Sequence, residues 1–234
     1  PVTAALCASE PLPPKLPSSI YFFALSQAPP PAVIETATKS CSVALALNGK
    51  VIACKEEVNE NYSHAEKLNT FIIALFQGRN ISMQDLDAIT VSKGPGSYTG
   101  LRIGVSTAKG ICYGLKIPLI SIPTLQAMAF SIKGEEDIDL YCPMIDARRL
   151  EVYSGIYNQD NEEIRCVQAN VIDSTSYQSE LAKKILFFGD NISKCEKIIK
   201  HENAKFINNF YPSVKKIGPL VYKRFQNQIF EDLA

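Results

Sequence analysis

The sequence predicts an α/β protein of two related lobes, each a hairpin-led sheet flanked by helices. Three observations carry this expectation. An apolar strand ending in an acid occurs twice, at Ile34-Glu35 and Ile145-Asp146, and each is followed by a turn and another strand. Asn48-Gly49 joins two apolar runs and supplies both positive-φ positions of a tight hairpin turn. Helical patterns fill the intervals, the longest of them introduced by the glycine-rich stretch VSKGPGSYTGLRIGVSTAKGICYG over residues 91–114. A duplicated plan of this kind divides the chain into a lobe over 32–119 and a second over 120–234.

Residues 1–31 stand apart, with eight of the fourteen prolines and no glycine. Proline fixes φ and removes a backbone donor, so this stretch reads as a disordered, dispensable leader. Structure is expected to begin with a short strand at Ala32–Glu35 and the Asn48-Gly49 hairpin. A helix over about 63–77 follows, with Ser63 and Glu66 as a capping box and Gly78 at the C-cap. Leu68, Phe71, Ile72 and Leu75 form its apolar face. A short helix from Ser82 and a strand near Ala88–Ser92 lead to the glycine loop and a helix over about 98–114. In the second lobe, YCPMID and Glu151–Tyr157 are strands. ILFFGDN (185–191) is a strand with a glycine turn and a helix after it, and the last helix starts near Pro219, which suits a first helical turn.

Composition excludes several classes of function. Twenty-four basic and twenty-four acidic residues balance, so the strongly basic footprint of a nucleic-acid binder is absent and any contact with RNA is indirect. Seven scattered cysteines without a CxxC pair or metal-ligand spacing favour a reduced, cytoplasmic setting. No apolar run approaches the roughly eighteen residues of a membrane span.

The glycines pose the main question. Gly100, Gly104, Gly110 and Gly114 fall in a helix, at a cost of roughly 0.8–1 kcal/mol each against alanine. Gly94 and Gly96 precede that helix and, with the strand-end acids Glu35 and Asp146, are candidate contacts for an anion or nucleotide. No Gly-Lys-Ser/Thr follows, and the spacing is GxGxxxG, so neither a P-loop nor a dinucleotide fingerprint is present. At 100° per residue Gly100, Gly104, Ala108 and Cys112 make a smooth ridge flanked by Leu101, with Arg102, Ser106, Lys109 and Tyr113 opposite. Such a ridge admits a close neighbour, either the 63–77 helix of the same domain or a partner, and its apolar arc is wider than one surface requires. The expected docking face for a partner is therefore His64, Leu68, Phe71, Ile72 and Leu75 with Gly100, Leu101, Gly104 and Ala108. His64 lies in a first helical turn, where the dipole disfavours its charged form. His201 sits in a charged helix end. Neither has ligand-spaced neighbours, so no metal site and no catalytic residue is assigned.

KGPGSYTGLRIGVSTAKG, PTLQAMA (123–129) and IDARRLEVY (145–153) resemble the TsaB (YeaZ) family, from about Ala32 onward. The resemblance implies a two-lobed ribonuclease H-like fold of the actin, sugar kinase and heat-shock ATPase superfamily. It also implies a non-catalytic partner of TsaD, which transfers threonylcarbamoyl to N6 of adenosine 37 in tRNA. A TsaE-type ATPase is a further implied partner, and a homodimer is the alternative state of the chain when TsaD is missing, a choice the sequence does not make. ATP and metal belong on the partner subunits, with no cofactor on this chain alone. Two departures from catalytic relatives bear on this. Thr124 and Met128 stand where TsaD-like proteins carry two metal-holding histidines, and Glu35-Thr36-Ala37-Thr38 replaces an Asp-x-Gly-Thr phosphate turn. Two departures from the family itself are Pro29–Pro31, which shorten the first strand, and an end at FEDLA before the usual terminal strand. The competing readings are a stand-alone ATPase or phosphotransferase, and a TsaD-like transferase or metalloprotease.

Overall fold

The structure is a computed structural model that describes residues 30–59 and 64–233. Of the leader expected over residues 1–31, residues 1–29 lie outside the described residues, as does the Ser63 cap; the leader's last two prolines belong to the folded lobe. Pro30 and Pro31 are buried, and the Pro31 carbonyl accepts the Ala46 N–H at 3.0 Å. Having no N–H to donate, these prolines delay the first strand, β1, to Ala32–Glu35.

The first lobe continues with β2 (Ser40–Leu47) and β3 (Lys50–Val58), joined by Asn48 and Gly49 at φ 49° and 79° as the dipeptide demands. Helix α1 spans His64–Phe76 and is followed by Gly78 at φ 69°. A 3-10 turn at Met83–Asp85, capped by Ser82, leads into β4 (Ile89–Ser92), α2 (Tyr98–Leu115) and β5 (Leu119–Ile122). Helix α3 (Thr124–Ile132) then crosses to the second lobe of β6 (Leu140–Asp146), β7 (Glu151–Asn158), β8 (Glu163–Val171), β9 (Ile185–Gly189), α4 (Ser193–Ile198) and β10 (Ala204–Asn208). Helix α5 (Gly218–Gln226) comes last, with Pro219 in its first turn.

Strand order is β3-β2-β1-β4-β5 in one sheet and β10-β9-β6-β7-β8 in the other. Read from its far edge, the second sheet repeats the first. In each, a central strand pairs antiparallel with the next strand and parallel with the one after the hairpin. The duplicated acid-ending strands of the sequence, β1 and β6, are these two central strands. This is the ribonuclease H-like arrangement, present twice.

Helices α1 and α2 cover one face of the first sheet, sealing Ile34, Val43, Leu68, Leu75, Ile89 and Val91. Helix α3 lies between the sheets. Its Leu125, Met128, Ala129 and Ile132 pack with Tyr141, Tyr157 and Phe188 of the second sheet, while Ala127 and Phe130 join Val33, Ala44 and Ile122 of the first. Large apolar side chains buried this way stabilise by roughly 1.5–3 kcal/mol each. The chain then returns: Leu220 and Val221 of α5 pack on the first sheet, and Glu231 bridges to Leu119 beside β5. The division expected between residues 119 and 120 thus needs correction. It falls inside β5, which pairs with β4, and the C-terminal helix belongs with the first sheet. Neither long-range pairing leaves a local mark in the sequence.

The glycine ridge has a definite occupant. Gly100, Gly104, Ala108 and Cys112 are the buried residues of α2; Gly100 and Gly104 face the chain's own β1–β2 turn, while Ala108 and Cys112 pack into the core of the first lobe. A Cβ on Gly96 would stand 2.3 Å from the Ala37 carbonyl oxygen, and one on Gly100 would stand 2.1 Å from the Thr36 carbonyl oxygen. On Gly104 it would meet Thr36 Oγ1 at 2.3 Å. Gly110 and Gly114 point outward, with nothing within 4 Å.

The two sets of glycines should therefore respond oppositely to alanine. Gly110→Ala should raise stability by roughly 0.8–1 kcal/mol through helix propensity alone. Gly100→Ala should lower it by roughly 1–3 kcal/mol, since backbone must move to admit the methyl. Denaturant unfolding of both variants checks this.

Candidate functional site

The β1–β2 turn, residues 36–39, is held from three sides. Beneath it, Glu35 Oε1 accepts the Ala37 N–H at 2.6 Å and Oε2 meets the Ser92 hydroxyl of β4. From α1, His64 Nε2 donates to the Thr38 carbonyl at 2.7 Å, and burial lowers the pKa of the ring, keeping it neutral. From the glycine loop, the Ser97 N–H donates to the Ala37 carbonyl at 2.6 Å. Ser97 then caps α2 by accepting the Gly100 N–H.

A cleft of about 900 Å³ opens beyond this turn, between the lobes. Thr38, Lys39, Ser97 and Tyr98 line one wall; Asp146, Arg148, Tyr153 and Asp190 line the other. Lys39 and Asp190 pair across it at 3.8 Å. Of the four candidate anion contacts, Gly96 and Asp146 lie on the cleft wall. Glu35 does not: it is 1% exposed and sealed beneath the turn. Gly94, at φ 99°, is turned against Leu101 and passes its carbonyl to the Thr124 N–H at 2.9 Å. The loop that could have cradled phosphate is closed over its own chain instead.

Asp146 is also engaged. Partial burial opposes its ionisation, but the Lys194 ammonium, the Asn191 amide at 2.8 Å and the Arg148 N–H at 3.0 Å outweigh this and hold its pKa below the usual value. Lys194 reaches on to the carbonyls of Arg149 at 2.7 Å and Glu151 at 3.0 Å. It thereby fixes a turn in which Arg148 and Arg149 both have positive φ, at 77° and 49°. Sequence reasoning missed Ser92 and Lys194. They lie 57 and 48 positions from the acids they contact, and no spacing rule links them.

The expected docking residues need a correction too. His64, Leu68, Ile72, Leu75, Gly100, Gly104 and Ala108 are buried within the chain's own core, and only Phe71 and Leu101 of that set stay partly exposed. Apolar and small residues at helical spacing mark the side that packs, whether the neighbour is the same chain or another. The outward residues are Ile73 on α1, 58% exposed, and Tyr98, Arg102, Ser106, Gly110 and Tyr113 on α2, with Tyr113 82% exposed. Thr124 and Met128 are fully enclosed on α3. Among the described residues no group of three or more His, Cys, Asp or Glu side chains is placed to hold a metal ion, and no helix is long and apolar enough to cross a membrane.

Burial pushes the Glu35 carboxyl up to about 7 from 4.5, against the smaller opposing effects of Ser92 and the backbone N–H groups. The folded state then holds an extra proton between those values, so stability falls as pH rises from 4.5 through 7. The loss amounts to roughly 3 kcal/mol. Glu35→Gln keeps an acceptor for Ala37 and supplies a donor for Ser92 with no charge to bury. It should match the parent near pH 4.5, exceed it by roughly 3 kcal/mol at pH 8, and lose the slope between. Chemical denaturation across that range is the measurement.

A family model described as "TsaD: tRNA N6-adenosine threonylcarbamoyltransferase" matches residues 58–233. The tRNA threonylcarbamoyladenosine biosynthesis protein TsaB of Bacillus subtilis is 33% identical over 172 residues, covering 71% of this chain and 73% of that protein. TsaB of Escherichia coli is 34% identical over 135 residues, 56% of each chain. The solved structure of YeaZ from Pseudomonas aeruginosa superposes with a TM-score of 0.70 at 22% identity, covering 87% of this chain and 95% of that one, a likeness of fold. Taken with the twofold ribonuclease H-like topology, these matches mean that the chain belongs to the TsaB (YeaZ) family within the wider group described by the TsaD model.

Proposed function

We propose that this chain is a non-catalytic subunit that binds a TsaD-type transferase and supports N6-threonylcarbamoylation of adenosine 37 in tRNA. The naming of its relatives as tRNA threonylcarbamoyladenosine biosynthesis proteins supports the pathway. The observation that carries the non-catalytic role is that the groups beside the cleft where superfamily enzymes work are engaged by the chain itself. The glycine loop sits on Ala37, Glu35 is sealed beneath the turn, and Asp146 is bound by Lys194. Thr124 and Met128, which the family resemblance aligns with metal-binding histidines, are packed into the apolar layer between the sheets. Neither offers an imidazole nitrogen to iron or zinc.

The docking surface in this reading is the outward face of α1 and α2. Tyr98 and Tyr113 offer large amphipathic side chains, which suit interface centres. Gly110, Ser106 and Gly114 between them leave room for a close backbone. A TsaD-type transferase occupies this face; a TsaE-type ATPase would join the assembly, tRNA would be held through the partners, and a second copy of this chain would occupy the same face when TsaD is missing. The net charge of zero agrees with indirect RNA contact.

Two measurements test the proposal. Threonylcarbamoyl transfer from preformed threonylcarbamoyl-AMP to tRNA should need the TsaD-type subunit, and turnover by this chain alone would overturn the non-catalytic assignment. Gly110→Arg should leave the isolated chain at least as stable as the parent, since the site is open and helix propensity improves, while overpacking the interface by roughly 1–3 kcal/mol. That corresponds to about five- to two-hundred-fold weaker binding of the TsaD-type subunit by calorimetry. Unchanged affinity would remove α2 from the docking face.

A further inference from the structure

Among the described residues, several of the exposed large apolar side chains gather at one place. Tyr98, at the start of α2, is 74% exposed and lines the first wall of the cleft. Tyr153 of β7 lines the opposite wall. β7 and β8 run antiparallel, with Glu151 opposite Val171 and Tyr153 opposite Ala169. Cross-strand partners and alternate residues share a sheet face, so Val171 stands on the same side as Tyr153, diagonal to it and within reach of its ring. Val171 is 69% exposed, and the turn before β7 adds exposed Leu150, whose carbonyl accepts the Ile172 N–H at 2.9 Å. An apolar cluster therefore rims the cleft mouth from both lobes.

The charge around this cluster is one-sided. Arg102 lies over the Tyr98 ring at 5.3 Å, and Arg148 and Arg149 follow each other in the turn before β7. Among the described residues no carboxylate pairs with any of the three. Two acids of the cleft are already answered, Asp146 by Lys194 and Asp190 by Lys39, which leaves Glu151 against three guanidinium groups. The rim selects a negatively charged occupant. A small molecule inside the cleft would leave Tyr98 and Val171 wet, since both are mostly exposed; a macromolecular surface laid across the mouth covers them. Tyr98 also belongs to the outward face of α2, so the rim continues the surface assigned above to the TsaD-type subunit.

We propose that the TsaD-type subunit contacts both lobes: an acidic segment of it, carrying an apolar side chain, crosses the cleft mouth and seats on Tyr98, Tyr153 and Val171 between Arg102 and the Arg148–Arg149 turn. This deepens the docking role proposed above and rests on it. Lys39 and Asp190 pair across the cleft at 3.8 Å, a weak tie between the walls. A partner gripping both walls fixes the lobes more firmly.

The experiment measures affinity of the full chain for the TsaD-type subunit by calorimetry, for the parent and three variants. Val171→Ser lies on the edge strand β8, away from α1 and α2. It should weaken binding about tenfold, through the loss of one buried valine side chain. Parent affinity should fall as salt rises, and that of the double variant Arg148→Glu, Arg149→Glu should not. Gly110→Arg reports on the α2 contact alone. Unchanged affinity and salt response in both second-lobe variants, with binding by Gly110→Arg weakened, would overturn the inference and leave the docking role standing. Absence of binding by the parent would overturn the docking role, and the inference with it. Sedimentation of the chain alone judges the rival occupant: a parent dimer that Val171→Ser dissolves would give the rim to a second copy and overturn the assignment. Should a second-lobe variant fail to fold, hydrogen exchange in the parent complex decides. Amides over 148–153 and 169–171 should slow on binding together with those of α2, and protection confined to α1 and α2 overturns the proposal.

Discussion

The first lobe is organised around the seating of one turn in one groove. Thr36 and Ala37 come so close to α2 that no side chain larger than hydrogen fits at positions 96 and 100. That contact sets the distance of α2 from the sheet, the direction in which the glycine loop closes, and the depth at which Glu35 is buried. Helix propensity is sacrificed at Gly100 and Gly104, and dispersion contacts with the turn offset it. The glycine motif thus serves close packing of a chain on itself.

Much of the architecture was legible in the sequence because it rests on local rules. Asn48-Gly49 specified a hairpin, Gly78 and Pro219 marked helix ends, and the paired Ile34-Glu35 and Ile145-Asp146 announced a duplication that the sheet order repeats. What was not legible depends on long-range pairing. The ridge of α2 could be drawn from periodicity, but its occupant lies over sixty residues earlier and is itself unremarkable in sequence. Lys194 carries no sequence signal in its short helix, yet it pairs with Asp146 and holds the carbonyls of Arg149 and Glu151. The apolar stripe of α1 marks a packing surface in the sequence, but a pattern of burial carries no label for whose atoms bury it.

The two strand-end acids are engaged by the chain in two different ways. In the first lobe the acid is enclosed: a side chain one methylene longer than aspartate turns inward to Ser92 and Ala37, and Ala37 takes up the space above it. In the second lobe the acid remains ionised at the cleft wall, but its charge is answered by an ammonium from α4. The cleft survives as a space lined by both charge signs and three tyrosines, Tyr98, Tyr153 and Tyr211.

The return of α5 to the first sheet has a consequence for biosynthesis. Arg224 donates to the Ser121 carbonyl at 3.0 Å across 103 positions, and Glu231 pairs with Leu119 beside β5. The second lobe is inserted into the first. At roughly 5–20 residues per second of translation, the edge and one face of the first sheet wait on the order of 5–20 s for their cover, whereas β6 to β10 emerge as an uninterrupted unit. A nascent chain paused between residues 210 and 218 would therefore hold a finished C-terminal sheet beside an N-terminal one with Val33, Ala44 and Ile122 still partly uncovered. The order of synthesis and the order of completion are reversed.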